Sequence, residues 1–280
     1  MARPHTTLQT LAALVLLGAM AVVFVAMGNW QTRRAAERDA IGLAIQQGRS
    51  NAPVTLTAQT PADQLQDWRP AIVTGRWEHQ FTVLLDNRNY KGRPGYWVAT
   101  PLRLDPTNNT AVLVLRGWLA RTPDLDEAMA LIPTPDGTQT VTGEMLSHVP
   151  RLFELWSLSG ESHSQLPARL PSSETPLPTL QNLDLNEYAQ ATDLQLLPVV
   201  IEQTSDETTI PEVAAGEPGA GLPAAGVPGA ALLRDWPEPS LDADKNRGYA
   251  LQWYSFALIA GGAWLFLAWH AWRRRRAPLH

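Results

Sequence analysis

The chain has 280 residues, with 22 Lys and Arg against 27 Asp and Glu, for a formal net charge of -5 at pH 7. An acidic balance argues against a nucleic-acid partner, because nucleic-acid-binding domains carry basic patches that neutralise phosphates. The sequence contains no cysteine, which excludes disulfides, thiolate metal sites and cysteine nucleophiles together.

The first predicted element is a membrane helix. Leu8 to Met27 is an apolar run without proline, and about 20 apolar residues of helix cross a bilayer core about 30 Å thick. A cleaved signal peptide is the alternative interpretation. However, the run exceeds the usual signal-peptide core, and Ala26-Met27-Gly28-Asn29 is a poor cleavage site. The sequence therefore predicts a cytoplasmic N-terminus at residues 1–7 and an uncleaved transmembrane helix at residues 8–28.

A juxtamembrane helix is predicted over residues 29–48, where good helix formers alternate with charges and Gly48 offers a stop. From Trp68 onwards the pattern changes to short β-branched or aromatic runs bounded by Gly, Pro, Asn or Asp, which is typical of strands joined by turns. The predicted strands are Ala71–Trp77, Phe81–Asp86, Gly95–Thr100, Ala111–Trp118, Thr138–Met145 and Leu196–Gln203, with turns at Lys91–Gly95 and Asp105–Asn109.

These strands predict a β-rich domain over residues 49–206. Their spacing favours an antiparallel barrel or sandwich, mainly β with some helix, over alternating β-α-β units. Asp124, Asp126 and Glu127 follow Pro123 and indicate a solvated turn or the start of a helix. Ser157 to Ser159 lacks the Gly-x-Ser-x-Gly elbow of a hydrolase nucleophile, so hydrolytic chemistry finds no support there.

Two loops are predicted from composition. Residues 207–240 read as a Pro-, Gly- and Ala-rich loop with a return segment, because Glu207 to Ala230 lacks the apolar mass that offsets the entropy of ordering. Its prolines argue against a phosphate-binding loop. Ser162 to Pro178 is a second polar, proline-bearing loop.

The chain is predicted to end with a pre-membrane segment at residues 241–250, a second transmembrane helix at residues 251–272 and a basic tail at residues 273–280. Arg273 to Arg276 should stay in the cytoplasm, because positive charge beside a membrane helix resists translocation. Both termini are then cytoplasmic and the β-rich domain is periplasmic, although Arg33, Arg34 and Arg38 oppose this orientation. The predicted fold is thus a membrane protein whose two transmembrane helices, in contact with lipid, flank an exported β domain.

Five short motifs follow one another along the chain: Gly28–Arg34, Val73–Trp77, Gly95–Leu102, Val114–Leu119 and Tyr249–Tyr254. In order and spacing, and with the flanking membrane helices, they resemble the SURF1 family of cytochrome c oxidase assembly factors. The resemblance covers nearly the whole chain except the proline- and alanine-rich loops.

The resemblance implies a non-enzymatic, chaperone-like protein of the cell inner membrane. Its role would be to assist haem insertion into, or maturation of, the core subunit of a haem–copper terminal oxidase. The implied partners are that core subunit and haem-synthesis enzymes, and the implied cofactor is haem a, bound transiently. The alternative function is a cofactor-free scaffold or accessory protein of another envelope complex. An exported enzyme is a third interpretation.

The position of the family's haem ligand is altered in this sequence. The resemblance places a histidine three residues before the tyrosine that matches Tyr249, but Asn246 occupies that position. Asparagine is not a usual haem ligand, so the cofactor-binding residues stay unknown, with Arg247, Tyr249 and His270 as weak candidates. No metal site is evident, because no pair shows ligand spacing among His5, His79, His148, His163, His270 and His280.

Three arginines, Arg76, Arg116 and Arg247, lie in or beside the motifs. Each could bind haem propionates or carboxylates of an oxidase subunit through its planar fork. Solvated strand ends or local salt bridges are the simpler interpretation. The motif glycines are expected to serve backbone geometry at strand ends or bulges: Gly75, Gly95 and Gly117.

A partner-binding surface is predicted where the two helices leave the membrane. Its residues are Trp30, Gln31, Arg34, Tyr249, Gln252 and Trp253. The hypothesis is that the two helices pack side by side and that these residues form a polar and aromatic collar that meets the oxidase core subunit. Gly261 and Gly262 are expected to permit a close helix approach.

Overall fold

The computed structural model describes residues 4–152, 166–204 and 232–276. The loop predicted at Glu207 to Ala230, Ser157 to Ser159, His163 and His280 lie outside these residues. The chain forms two compact units. One contains residues 1–43 and 239–280, with the two long helices, and the other, residues 44–238, contains the strands.

The first helix, α1 (Pro4–Ser50), is continuous and so joins the predicted membrane and juxtamembrane segments in one element. The expectation that Gly48 ends this helix is wrong by two residues. A Cβ at Gly48 would lie 2.5 Å from the carbonyl oxygen of Asp67 and 2.7 Å from Cβ of Trp68. The glycine therefore permits close packing of the last turn rather than stopping the helix.

The last helix, α4 (Ala243–Arg276), lies beside α1 and runs antiparallel to it. Gly18 faces Trp264, Gly28 faces Tyr254 and Gly42 faces Leu241, so the residue numbers fall along α4 as they rise along α1. Both helices contain a stretch that is long and apolar enough to cross a membrane, judged by length and composition.

The second unit contains one eight-stranded sheet that closes on itself. Its strands are β1 (Val54–Leu56), β2 (Pro70–Trp77), β3 (Val83–Tyr90), β4 (Arg93–Asp105), β5 (Thr110–Ala120), β6 (Thr138–Leu146), β7 (Thr179–Leu180) and β8 (Gln195–Gln203). Their order is β1-β2-β6-β8-β5-β4-β3-β7. An additional pairing, in which Arg76 and Trp77 of β2 face Arg103 and Leu102 of β4, closes β2, β6, β8, β5 and β4 into a barrel.

The barrel confirms the predicted β-rich domain but corrects its pairing. The expectation of a wholly antiparallel sheet is wrong, because β5 pairs with β8 in parallel. A parallel pair needs a crossover of a dozen or more residues, and the chain from β5 to β8 supplies it through α2 (Leu125–Leu131), β6 and α3 (Leu185–Thr192).

Several strand boundaries also differ from the prediction, among them the start of β3 and the turn between β3 and β4. Phe81 ends a short 3-10 turn, His79–Phe81, and β3 begins only at Val83. The turn between β3 and β4 consists of Lys91 and Gly92 alone, both with positive φ, which is the geometry of a tight hairpin turn. The predicted helix start after Pro123 is confirmed, because the Asp124 side chain accepts a hydrogen bond from the backbone N–H of Asp126 at the beginning of α2.

The core explains why β5 consists almost entirely of apolar residues. Its side chains alternate between two buried clusters. Val112 and Val114 join the cluster that contains Val73, Met145 and Ile201, whereas Leu113 and Leu115 join the cluster that packs against α3. A strand buried on both faces gives a continuous apolar run rather than an alternating one.

Candidate functional site

A polar seam holds α1 against α4. The Tyr254 hydroxyl donates to Oδ1 of Asn29 at 2.8 Å and lies 3.3 Å from Oγ1 of Thr32. Gly28 makes room for this side chain, because a Cβ there would lie 2.5 Å from Cε1 of the Tyr254 ring. Next to the seam, the Phe24 ring lies 5.7 Å from the ring of Trp253. Small residues and hydrogen bonds are the usual means by which helices associate in membranes.

Asn246, at the position of the family's histidine, belongs to this seam. Its side chain is 9% exposed, and Nδ2 donates to Oε1 of Gln31 at 2.7 Å. The amide is therefore used between the helices, and an asparagine amide is not among the usual ligands of haem iron.

Beyond the pair of Asn246 and Gln31, charged groups of α1 and α4 continue the seam. Arg247 forms an ion pair with Asp39 of α1 and donates to Oδ1 of Asp244 at 2.7 Å. Arg38 donates to the backbone carbonyl of Asp242 at 3.0 Å. The two carboxylates that bind the Arg247 guanidinium, those of Asp39 and Asp244, belong to this chain. The guanidinium is therefore already paired within the protein.

The other predicted cofactor residues do not form a ligand set. Tyr249 is 56% exposed, and the His270 ring is stacked on the Phe266 ring at 6.1 Å. Among the described residues, no group of three or more His, Cys, Asp or Glu residues could hold a metal ion. The site therefore does not fit axial ligation of haem iron by the predicted residues.

The predicted collar separates into seam residues and exposed residues. Gln31 and Trp253 contact the opposite helix, through Asn246 and Phe24. The others do not join the seam: Trp30 and Tyr249 are 47% and 56% exposed, Gln252 is exposed, and Arg34 pairs with Glu37 on its own helix at 2.9 Å. The collar is thus a seam flanked by exposed aromatic and polar side chains.

The residues that sequence analysis missed lie within one helical turn of those it predicted. They are Gly28, Asn29, Thr32 and Tyr254, and all four stand inside the motifs that carried the resemblance. The expectation for Gly261 and Gly262 is wrong. Within the described part of the chain, nothing lies within 4 Å of a Cβ built at either residue. Gly28 is where the helices approach closely.

In the barrel unit, the two motif arginines, Arg76 and Arg116, have different surroundings. Arg76 is exposed on β2. Arg116 is 4% exposed and stacks on Trp77, with 4.5 Å between the guanidinium carbon and the ring centroid. Another arginine that was not singled out, Arg88, is equally buried and stacks on Trp97 at 4.3 Å. Burial lowers the pKa of Arg88, and that of Arg116, to about 10.

Gly117 shows why a motif glycine follows Arg116. Its φ is +144°, and a Cβ there would lie 2.7 Å from Cβ of Leu232. The return segment passes at this point and pairs with β5, because the N–H of Trp118 donates to the carbonyl of Leu233 at 2.7 Å. The prediction that this glycine serves a bulge is confirmed, since the β4–β5 register shifts here.

A second charged cluster surrounds Arg49. This guanidinium donates twice to Glu144, at 2.9 and 3.1 Å, and once to Glu238, at 2.6 Å. Glu144 lies opposite Glu202 on β8. Burial, together with the charge of Glu144, raises the pKa of Glu202 from 4.5 to about 7, against the opposing effect of Arg49.

The described residues thus form a closed barrel and two helices that are apolar enough to span a membrane and are joined by a polar seam. The sequence profile of the SURF1 family matches residues 18–258. This match covers most of the chain, and the chain belongs to the SURF1 family, which confirms the resemblance of the five motifs.

Two curated proteins are similar to parts of this chain. Cytochrome oxidase assembly protein SHY1 of Saccharomyces cerevisiae is 30% identical over 107 residues, which are 38% of this chain and 27% of the yeast protein. A SURF1-like protein of Dictyostelium discoideum is 28% identical over 152 residues, which are 51% of this chain and 54% of that protein. The matched stretches thus span about half, or less, of these relatives.

Proposed function

We propose that this chain is a membrane-anchored assembly factor for a haem–copper terminal oxidase of the cytochrome c oxidase type. Family membership and the printed name of the yeast relative support this role. The proposed location is the cell inner membrane, with α1 and α4 as spans, both termini in the cytoplasm and the barrel in the periplasm. Arg273 to Arg276 support this orientation.

The observation that carries the proposal is that some collar residues join the two helices while others remain exposed. The seam uses Gln31, Asn246 and Tyr254 to hold the helices together. Trp30 and Tyr249 remain exposed beside it. Amphipathic aromatic side chains at a membrane interface are suited to contact both lipid and a partner protein.

The proposed partner is the core subunit of the oxidase, contacted as it folds. Contact with Trp30, Arg34, Tyr249 and Gln252 would hold that subunit in a form competent for haem insertion or maturation. Haem-synthesis enzymes are proposed as further partners. Haem a, if it is exchanged at this site, is not held through Asn246, because that amide binds Gln31.

A cofactor-free scaffold for another envelope complex is the second candidate. The observation that favours it is the lack of an iron ligand at Asn246. The two candidates differ in their partner. Affinity purification of the tagged chain from detergent-solubilised membranes should recover the oxidase core subunit, whereas the scaffold alternative predicts recovery of a different complex.

The deciding experiment is a deletion strain assayed for oxidase activity and for the haem content of the residual enzyme. We expect loss of most activity, restored by the wild-type gene. A Trp30→Ala/Tyr249→Ala variant should restore it poorly, because the exposed collar is lost while the seam is kept. Leu125→Ala is the matched control, since Leu125 is also a large exposed apolar residue but lies on α2. Full oxidase activity in the deletion strain would refute the assembly role.

Topology is tested separately from function. Reporters active only in the periplasm and only in the cytoplasm can be inserted at the Lys91–Gly92 turn, which joins β3 to β4 on the surface. Periplasmic activity is expected. Cytoplasmic activity would overturn the proposed orientation, and with it the proposed encounter with the exported face of the oxidase.

A further inference from the structure

Arg116 lies where the pairing of β4 with β5 is irregular. Val98 of β4 pairs with Gly117 and its neighbour Ala99 pairs with Leu115, so Arg116 is the extra residue of a β-bulge. Bulges redirect side chains and are frequent next to functional sites. The glycine with positive φ and the return segment at Leu232 maintain this one.

The guanidinium of Arg116 is buried without an acceptor for two of its nitrogens. Among the described residues, Nε and Nη1 have no hydrogen-bond partner, and no Asp or Glu forms an ion pair with this side chain. Trp77 covers one face of the group at 4.5 Å. A buried charge that lacks hydrogen bonds costs free energy, so such a group needs an explanation.

The charges around Arg116 are of the same sign. Arg234 donates from Nε to the carbonyl oxygen of Arg116 at 3.1 Å, and its charge adds to burial in lowering the pKa of Arg116. His79 follows Trp77, which stacks on Arg116, by two residues. Burial is the main cause that lowers the pKa of His79 and the charge of Arg116 lowers it further, whereas the contact with Pro135 and the charges of Asp136 and Glu78 raise it. Nδ1 of His79 is buried without a hydrogen-bond partner among the described residues, and Nε2 lies 3.4 Å from the carbonyl oxygen of Pro135.

Arg88 provides an internal comparison. It is buried to the same degree and stacks on Trp97 at 4.3 Å. However, its Nη2 donates to the carbonyl of Gln181 at 3.1 Å, and burial alone lowers its pKa. Nε of Arg88 is also buried without a hydrogen-bond partner among the described residues. Arg116 differs in having two such nitrogens and a cationic neighbour, Arg234.

We propose that Arg116 and His79 form a binding site for one carboxylate group of a small organic acid. The incoming carboxylate would accept from Nε–H of Arg116. Nη1 lies on another edge of the guanidinium, so one carboxylate does not bind both groups. His79 would take up a proton and donate from Nδ1, while Nε2 keeps its contact with Pro135. Because Trp77 covers the face of the guanidinium, contact must be made in its plane, and a planar carboxylate fits this geometry.

This site lies in the barrel unit and is independent of the collar. The proposal can therefore fail while the proposed assembly role stands, and the reverse also holds.

The test uses the full chain, purified in detergent, with acetate as the probe and chloride at equal ionic strength as the reference. Acetate should raise the midpoint of thermal unfolding in the wild type, and the shift should saturate with concentration. Arg116→Gln should weaken the apparent affinity for acetate at least about tenfold. Arg76→Gln is the matched control, because Arg76 belongs to the neighbouring motif but is exposed, and it should change the affinity less than about twofold.

Two further measurements guard against a variant that does not fold. The Nε–H resonance of Arg116, assigned by its loss in Arg116→Lys, should shift in the wild type on titration with acetate and not with chloride. Binding should also tighten as the pH is lowered from 8 to 6, and His79→Phe should remove that dependence.

Equal effects of acetate and chloride on the wild type, an unmoved Arg116 resonance, or wild-type affinity in Arg116→Gln would each overturn the proposal. Retention of the pH dependence in His79→Phe would remove His79 from the site.

Discussion

The helix pair leaves many of its large apolar side chains exposed, whereas the barrel buries its own. Leu113 of β5 is 0% exposed, whereas Leu258 of α4 is 76% exposed, although both stand in long apolar runs. In the helix pair, three polar pairs join the helices beside the aromatic contacts of Phe24: Tyr254 with Asn29, Asn246 with Gln31 and Arg247 with Asp39. The barrel instead buries its apolar side chains and places most of its charges at the surface.

This difference indicates that the two units are suited to different surroundings. The barrel is stabilised by removal of apolar surface from water. The helix pair leaves that surface uncovered by the described part of the chain, which is the arrangement expected where hydrocarbon surrounds the helices and polar contacts hold them together. The exceptions in the barrel, Arg88, Arg116 and Glu202, are buried charged groups whose pKa values are shifted by desolvation.

The largest expected effect comes from truncating the same residue type in the two units. Leu113→Ala should destabilise the barrel by about 4 kcal/mol, because it leaves a cavity between β5 and α3. Leu258→Ala should change the stability of the protein in detergent by less than about 0.5 kcal/mol, since it removes no contact within a core. Denaturant unfolding of the full chain in detergent, followed by tryptophan fluorescence, measures both. Equal losses would show that α4 is packed as a core helix.

The next effect is a pH dependence from Glu202. Its pKa is about 7 in the folded protein against an ordinary value of 4.5, so the folded state holds a proton that the unfolded state releases. Its contribution to stability is therefore complete below pH 4.5, falls as the pH rises to about 7, and is then constant.

Replacing the Glu202 carboxylate with an uncharged amide removes the loss of stability that accompanies the rise in pH. Glu202→Gln should be more stable than the wild type at pH 8 by on the order of 2–3 kcal/mol, and about equal to it at pH 4. Glu174→Gln, at an exposed loop residue, is the control and should not change the slope. Parallel stability curves for the wild type and Glu202→Gln would show that Glu202 does not titrate in this range.

A smaller effect is expected in the seam. Gly28→Ala places a methyl group against the Tyr254 ring, where a Cβ would lie 2.5 Å from Cε1, and should cost about 1–2 kcal/mol of helix association. Gly262→Ala is the control, since within the described residues nothing lies within 4 Å of its Cβ position.

The chain lacks cysteine, which makes the seam experiment direct. Cysteines introduced as Gln31→Cys and Asn246→Cys should be joined by a short bifunctional thiol reagent. The yield should fall in the Gly28→Ala background and persist with Gly262→Ala. An unchanged yield with Gly28→Ala would mean that the helices are not held together at Gly28.

The smallest effect concerns haem. The unmodified protein should bind haem a weakly, because Asn246 is engaged with Gln31 and is a poor iron ligand. Asn246→His should strengthen binding about tenfold, which is about 1.4 kcal/mol, in an absorbance titration. Asn246→Gln keeps an amide and serves as the control. Tight binding by the unmodified protein would place the ligand elsewhere.

Much of this fold could be predicted because its signals are local. The apolar run and the helix formers after it predicted α1 closely, and turn residues such as Asp124 predicted where α2 begins. The parallel pairing of β5 with β8 could not be predicted, because the choice of a strand's neighbour depends on how the long connection between them folds. The strand itself, Leu196 to Gln203, was predicted to within one residue.

The region where the two helices meet was predicted, but not all of the residues that form the contact. Gln31 and Trp253 were correctly assigned to the region where the helices meet. Which residues of each helix face inward depends on the rotation of the helix, and that rotation is set by the fit of the Tyr254 ring against Gly28. A difference of one residue turns a side chain by about 100° around a helix, so Trp30 faces outward while its neighbours bond.

The amino-acid sequence alone determined the two long apolar helices, the β-rich middle and the family, since each depends on residue type and order along the chain. Tertiary structure decided which polar groups lose their water: Arg116 against the face of the Trp77 ring, Glu202 opposite Glu144, and Asn246 against Gln31. The physical reason is that desolvation depends on neighbours distant in sequence, and no local pattern specifies those neighbours.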